Sequence, residues 1–233
     1  MWRFLTLFVA LCYKLTTVPA LILPLKMSAT AVRFVTNLKC PYAQRTWIAL
    51  EESGTSYEMT EISLYGSGGK PSWFLKLNPK GEVPVLVVDD SPIVGSEETI
   101  DFLMKDDMNS PYKRELSSRW RAIINDRLKH VGKRAVLYGG KEADKVDLGA
   151  VLRDLEACLQ AQGKEAGNDE DHGPFVCGSV FTAADVSAFP FLQRIQGEFG
   201  FPAECEKLEA WYEAARRRPT VKKTIRREWW WWW

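Results

Sequence analysis

In this chain of 233 residues, nucleophilic chemistry rests on Cys40. It heads the run Cys40-Pro41-Tyr42-Ala43, where the alternating, strand-like stretch 31–38 gives way to apolar positions at helical spacing. With Cys40 as N-cap and Pro41 as first helical residue, the sulfur faces free backbone N–H groups and the positive end of the helix dipole. That placement predicts a thiol pKa lowered from ~8.5 into the range of roughly 3.5–7.5, and so a thiolate at neutral pH. Ala43 stands where a dithiol motif has its second Cys, so an external thiol must resolve any mixed disulfide formed on Cys40. Three further features accompany it. Lys70 is a loop cation, Val83-Pro84 lies between a loop and an apolar strand where a cis bond fits, and Ser96 reads as the N-cap of a helix with Glu97 and Glu98 in its first turn. Other chemistries are poorly provided for. The five Cys (12, 40, 158, 177 and 205) are never closer than 19 residues, and His130 and His172 are the only histidines, which excludes multi-histidine metal sites and a disulfide framework.

The elements that position these residues follow from periodicity. Strand-like stretches at 31–38 and 56–64 flank a helix over 41–53 that stops at Gly54. A glycine-rich loop (Gly66, Gly68, Gly69), a short helix at 72–77 and the turn Asn78-Pro79-Lys80-Gly81 come next. Two short apolar runs around Asp89-Asp90-Ser91 read as a hairpin, and a helix runs from Ser96 through Met104. This β-α-β, α, β-β-α order predicts a small α/β domain of thioredoxin type, and the remainder is helical. One apolar stripe crosses 111–136 (Leu116, Trp120, Ile123, Ile124, Leu128, Val131) and another joins Leu148, Val151, Leu152, Leu155 and Leu159. Residues 163–173 form an acidic, turn-rich loop. Thr182 to Asp185 is a capping-box variant, and a last helix over 203–217 ends before Pro219.

Charge divides the chain in three. Residues 1–50 hold six basic and no acidic residues, 51–215 hold 18 basic and 29 acidic, and 216–233 hold seven basic and one acidic. So acidic a body repels phosphate backbones, which argues against nucleic-acid partners. Residues 1–26 combine Arg3, an apolar stretch at 4–13 and the small-residue pattern Val18-Pro19-Ala20, and read as a targeting segment. The other reading is a gene-model extension ahead of a chain that starts at Met27. The tail Trp229–Trp233 beside its basic cluster is either a membrane or partner contact or a frayed end.

Several spaced motifs resemble one family. CPYAQR (40–45), KPSWFLKLNPKGEVPVL (70–86), Ser96 with Ile100 and Phe102-Leu103, and FTAADVSAF (181–189) are similar to the cysteine-type cytosolic glutathione transferases, closest to the omega and lambda classes. The resemblance covers nearly all of 31–225. It implies an α/β plus all-α architecture: a thioredoxin-like glutathione-binding domain at 28–106, then a helical-bundle domain at 111–227, with the targeting segment at 1–26 and the Trp tail at 228–233. It also implies an enzyme, either monomer or homodimer, that takes glutathione as co-substrate with a small electrophilic or disulfide acceptor and uses no metal. In that frame Cys40 forms the mixed disulfide with glutathione. Val83, before a cis Pro84, pairs with the tripeptide backbone, Lys70 binds the glycine carboxylate, Ser96 holds the γ-glutamyl carboxylate, and Tyr42 lines the cleft. The family usually has Glu where this chain has Gly95, and Glu97 is the substitute candidate for the γ-glutamyl amine, against its reading as a helix first-turn acid. The implied activity is thiol transfer (deglutathionylation or mixed-disulfide reduction), with dehydroascorbate reduction as a variant. A non-catalytic binding or membrane-interacting module and a carrier of hydrophobic ligands are the rival readings. The implied location is a plastid or other organelle, or the cytoplasm for a chain starting at Met27.

Overall fold

The computed structural model describes residues 31–65, 69–105, 110–137, 141–162 and 173–226. The targeting segment 1–26, Gly66 and Gly68, the acidic loop at 163–172 and the tail 228–233 lie outside the described residues. Strand β1 (Val32–Thr36), β-branched and aromatic in its core-facing positions, takes a central place in a four-stranded sheet. Strand β2 (Glu58–Glu61) pairs parallel with it, β3 (Val85–Val88) antiparallel on its other side, and β4 (Ser91–Val94) completes the order β2-β1-β3-β4. Asp89 and Asp90 adopt φ of 46° and 65°, the left-handed pair that a two-residue hairpin turn with the twist of its strands requires. Pro92 is tolerated because β4 is an edge strand.

Helix α1 (Pro41–Ser53) has Pro at its start and Gly54 at φ 66° just past its end, the two local signals from which its limits were expected. Helices α2 (Ser72–Leu77) and α3 (Ser96–Leu103) complete the first layer. Phe34, Trp47, Leu50, Phe74, Val85 and Leu86 form its core. The helical part comprises α4 (Pro111–Ala122), a π-helical turn (Ile123–Leu128), α5 (Lys129–Leu137), α6 (Glu142–Gln160), α7 (Ala183–Phe199), α8 (Glu206–Arg217) and α9 (Pro219–Thr224). Its core around Trp120, Leu155, Phe189 and Trp211 also takes in Ile48 and Ala49 of α1 and Ile100 of α3. Those three side chains weld the layers together. No helix among the described residues is long and apolar enough to cross a membrane.

Four elements differ from expectation. Strand β2 is shorter than 56–64, because β1 offers it partners only from Arg33 to Thr36. Gly95, at φ 105°, is the N-cap of α3, so Ser96 is the first helical residue and not the cap. The stripe at 111–136 is not one regular helix but is broken by the π-helical turn, which keeps Ile123, Ile124 and Leu128 buried. Lastly, α8 starts at Glu206, after a turn in which Cys205 N–H donates to Pro202 O, and Pro219 starts α9 where it was expected only to end α8.

The helical core is organised around Asp185 at the start of α7. Its carboxylate accepts from Thr182 N–H (2.8 Å), Val176 N–H (2.9 Å), Trp211 Nε1 (2.7 Å) and Thr182 Oγ1 (3.0 Å). All these donors are buried. Asp185→Asn turns its NH₂ toward at least one backbone or indole N–H that can only donate, so it is expected to lower stability by about 3 kcal/mol in urea unfolding followed by helical circular dichroism. A loss under about 1 kcal/mol would show that the network is dispensable.

Candidate active site

The turn that ends β1 is built by Asn37. Its side-chain Nδ2 donates to Ile62 O at 3.0 Å, its Oδ1 accepts from Lys39 N–H at 3.1 Å, and its carbonyl accepts from Cys40 N–H at 3.0 Å. Cys40 is thereby delivered as the N-cap of α1 in extended conformation, as its position before Pro41 predicts, but its sulfur makes no capping hydrogen bond. The thiol is only 8% exposed. Burial dominates and pushes its pKa up, against the pull of the Ala43 and Tyr42 N–H groups and the charges of Arg194 and Arg45. The expectation of a lowered pKa is therefore corrected. The helix end is present, yet desolvation of the thiolate outweighs it.

Cys40 opens on a cleft of about 440 Å³. Of the seven residues singled out from sequence, Cys40, Tyr42, Lys70, Val83, Pro84 and Ser96 line it together. The Val83-Pro84 bond is cis. Lys70 runs across Gly81, where a Cβ would fall 2.7 Å from its Cδ and 2.9 Å from its Nζ, so this glycine, at φ 67°, makes room for the lysine. The N-terminus of α3 also faces the cleft through Gly95 and Ser96, and its N-cap, a glycine, has no side chain to cap it. A side chain at Gly95 would meet the Glu98 carboxylate 2.0 Å from its Cβ.

Glu97 is the residue the structure places elsewhere. It does not line the cleft, because its carboxylate is drawn to Arg45 Nη1 (2.8 Å) and to Arg121. Burial works to raise its pKa, but Arg45 and Arg121 hold it below the usual carboxylate range. The acidic side chain on the cleft wall is Glu82. Sequence reasoning passed over it, along with Leu64 and Tyr65, which reach the cleft from beyond β2.

Two buried arginines were missed as well. Arg194, on α7, donates to Lys39 O (2.9 Å), Gln44 Oε1 (2.9 Å) and Pro190 O (2.6 Å), and burial lowers its pKa to about 9, with Cys40 opposing. Burial likewise lowers Arg45 to about 10, with Glu97 opposing, so both remain cations at neutral pH. Their signal in the sequence is a charge three or four residues from apolar positions of the same helix, such as Arg45 before Ile48 and Ala49. Tyr42 packs edge-on against Phe191 of α7 with centroids 5.2 Å apart, and Lys129 Nζ lies 6.0 Å from its ring centre.

Comparison with known proteins agrees with this architecture. The family model for the glutathione S-transferase N-terminal domain matches residues 39–106, and that for the glutathione S-transferase C-terminal domain matches 140–214. A probable glutathione S-transferase DHAR1, cytosolic, of Oryza sativa subsp. japonica is 29% identical over 160 residues, covering 67% of each chain. The chloroplastic glutathione S-transferase DHAR3 of Arabidopsis thaliana is 28% identical over 165 residues, 69% of this chain and 57% of that one. Among solved structures, glutathione transferase Omega 1C of Trametes versicolor superposes with a TM-score of 0.68 over 84% of this chain and 92% of its own, at 21% identity, a likeness of fold.

Iodoacetamide labelling of Cys40, read by peptide mass mapping from about pH 6 to 10, is expected to show a midpoint above the ~8.5 of an unperturbed thiol. A midpoint below about 7 would mean that the helix end and the two arginines outweigh burial.

Proposed function

The chain belongs to the glutathione S-transferase family, with both of that family's domains matched over more than half its length, and from that premise we propose that it is a glutathione-dependent thiol transferase working through Cys40. The observation that carries this reading is a single cleft that joins a helix-capping cysteine to Lys70, to Val83 before a cis proline, and to Ser96 at the open end of α3. Glutathione has a carboxylate at each end and a backbone between them. Lys70 offers a charge-assisted contact to one carboxylate, Ser96 and the N–H groups of α3 hold the other, and Val83 pairs with the central peptide as an added strand.

The chemistry needs two exchanges. The Cys40 thiolate attacks the glutathionyl sulfur of a mixed disulfide; the old S–S bond breaks, and the departing thiolate takes up a proton as the acceptor's free thiol. Cys40 is left bonded to glutathione. Ala43 carries no thiol, so the thiolate of a second glutathione attacks the bound glutathionyl sulfur, forms glutathione disulfide and returns Cys40 as a thiolate. One free glutathione is thereby consumed for each mixed disulfide: the acceptor leaves as a thiol, and the glutathionyl group it carried leaves within glutathione disulfide. Glu97 has no part in holding the γ-glutamyl amine in this scheme, because Arg45 and Arg121 occupy its carboxylate. Family resemblance also supports dehydroascorbate as an acceptor.

Cys40→Ser is expected to abolish glutathione-dependent reduction of hydroxyethyl disulfide, and full retained activity would remove Cys40 as the nucleophile. Lys70→Ala is expected to raise the KM for glutathione about tenfold with kcat within about twofold, as loss of one charge-assisted contact does. The same assay with dehydroascorbate and with a chlorinated aromatic ranks the acceptors. We further propose that residues 1–26 direct the chain to a plastid, on the strength of their basic, acid-free composition. Fluorescent fusions of the full chain should enter plastids and fusions starting at Met27 should stay in the cytosol; identical distributions would refute the address.

A further inference from the structure

The packing of α9 on α1 carries the chain toward one edge of the sheet. The C-cap of α9, Ile225, is already extended at φ −72° and ψ 127°, and the next residue, Arg226, lays its guanidinium 4.5 Å from the centre of the Trp47 ring. Trp47 Nε1 donates to Tyr57 Oη at 2.8 Å, and Tyr57 is the residue before β2. Two side-chain contacts thus separate Arg226 from the start of that strand. Seven residues follow Arg226, namely Arg227, Glu228 and Trp229–Trp233, and fully extended they span roughly 23 Å.

Strand β2 ends the sheet order: one side of it pairs with β1, and among the described residues no strand pairs with the other. Ile62 N–H donates to Thr36 O at 2.8 Å, and backbone groups alternate along a strand, so Glu58 and Thr60 face β1 while the N–H and C=O groups of Met59 and Glu61 point outward. Glu58, Met59 and Glu61 are exposed, Met59 by 38%. A cavity of about 670 Å³ opens at the start of the same strand against Arg33, Tyr57, Glu58 and Val87.

We propose that the tail Trp229–Trp233 pairs with the outer side of β2 as a fifth strand of its own sheet. Trp favours the extended, half-buried setting of a strand. Successive rings of an added strand fall on opposite faces, and β2 offers Met59 on one face and, on the other, the cavity beside Glu58 and its cross-strand neighbour Arg33. Charge selects this occupant. Residues 56–64 carry Glu58 and Glu61 and no cation, while residues 222–227 carry Lys222, Lys223, Arg226 and Arg227 and no acid. The β2 strand of a second copy would set Glu against Glu, and like charges opposite one another destabilise a pair, whereas the tail brings a basic flank. An edge so covered no longer offers unpaired backbone groups to another chain.

The test compares the full chain with one ended at Glu228, by hydrogen exchange at single amides read in two-dimensional NMR. The Met59 and Glu61 N–H groups are expected to exchange about tenfold more slowly in the full chain, at a rate independent of protein concentration. Equal rates in the two chains would overturn the proposal. Protection that grows with protein concentration would overturn it as well, because the tail would then lie on a second copy; so would protection seen only with phosphatidylglycerol vesicles, which would assign the tail to a membrane surface. Met59→Pro gives a second reading, since proline on an edge removes the outward N–H and leaves the bonds to β1 in place. It is expected to speed exchange at Glu61 about tenfold in the full chain and to leave it unchanged in the chain ended at Glu228. No change in the full chain, or the same speeding in both chains, would refute the pairing.

Discussion

Two guanidinium groups sealed between the layers set the terms for the rest of the molecule. A buried cation is tolerable only where oxygen acceptors stand at hydrogen-bond distance, and moving any of them leaves charge in a medium that cannot solvate it. Arg194 ties α7 to the carbonyl of Lys39, the residue before Cys40, and Arg45 ties α7 and the π-helical turn to α3. The two ends of the cleft are therefore referenced to the same helix. A slide of α7 along α1 would break polar contacts at both sites together, whereas an apolar interface alone would accept small shifts at low cost. The precision of the cleft comes from polar groups that lie outside it.

The same burial governs the sulfur. A helix end and two cations favour the thiolate, but with the residue almost out of contact with water the neutral form is favoured. A thiol is a weak nucleophile and resists oxidation better than its anion. Reactivity at Cys40 is thus set by opposing effects: burial favours the thiol, and hydrogen bonds to the sulfur favour its anion.

Features carried by adjacent residues were the most legible in the sequence. Pro41 and Gly54 delimit α1, Asp89-Asp90 mark the hairpin, and six of the seven singled-out residues share one cleft because short motifs placed them at the strand and helix ends that converge there. What depended on distant partners was not legible. Arg45 and Arg194 sit among residues whose period also fits a solvated charge, and nothing local tells that Ser187, Asn125 or Gln44 will meet them. Glu97 looked free to face a ligand because Arg121, which captures it, lies 24 positions along the chain. Cys40 was misjudged in its proton affinity for a similar reason, since a helix start is local while the depth of burial is set by the first-layer core that the residue joins, with Val83 more than 40 positions away. Pro219 was read as an ending when it was also a beginning, which only the packing of α9 on α1 discloses.

That packing spans most of the chain. Arg218 and Thr220 hold Glu52, Lys223 holds Glu51, Thr224 accepts from Gln44, and Arg226 lies over the ring of Trp47. The outer flank of the first helix is covered by residues more than 160 positions later in the sequence. During synthesis, which proceeds from the N-terminus at roughly 5–20 residues per second, the first layer leaves the ribosome with that flank bare and must wait roughly ten seconds or more for its cover. The helix that Cys40 heads is thus encoded among the first parts of the molecule and covered among the last.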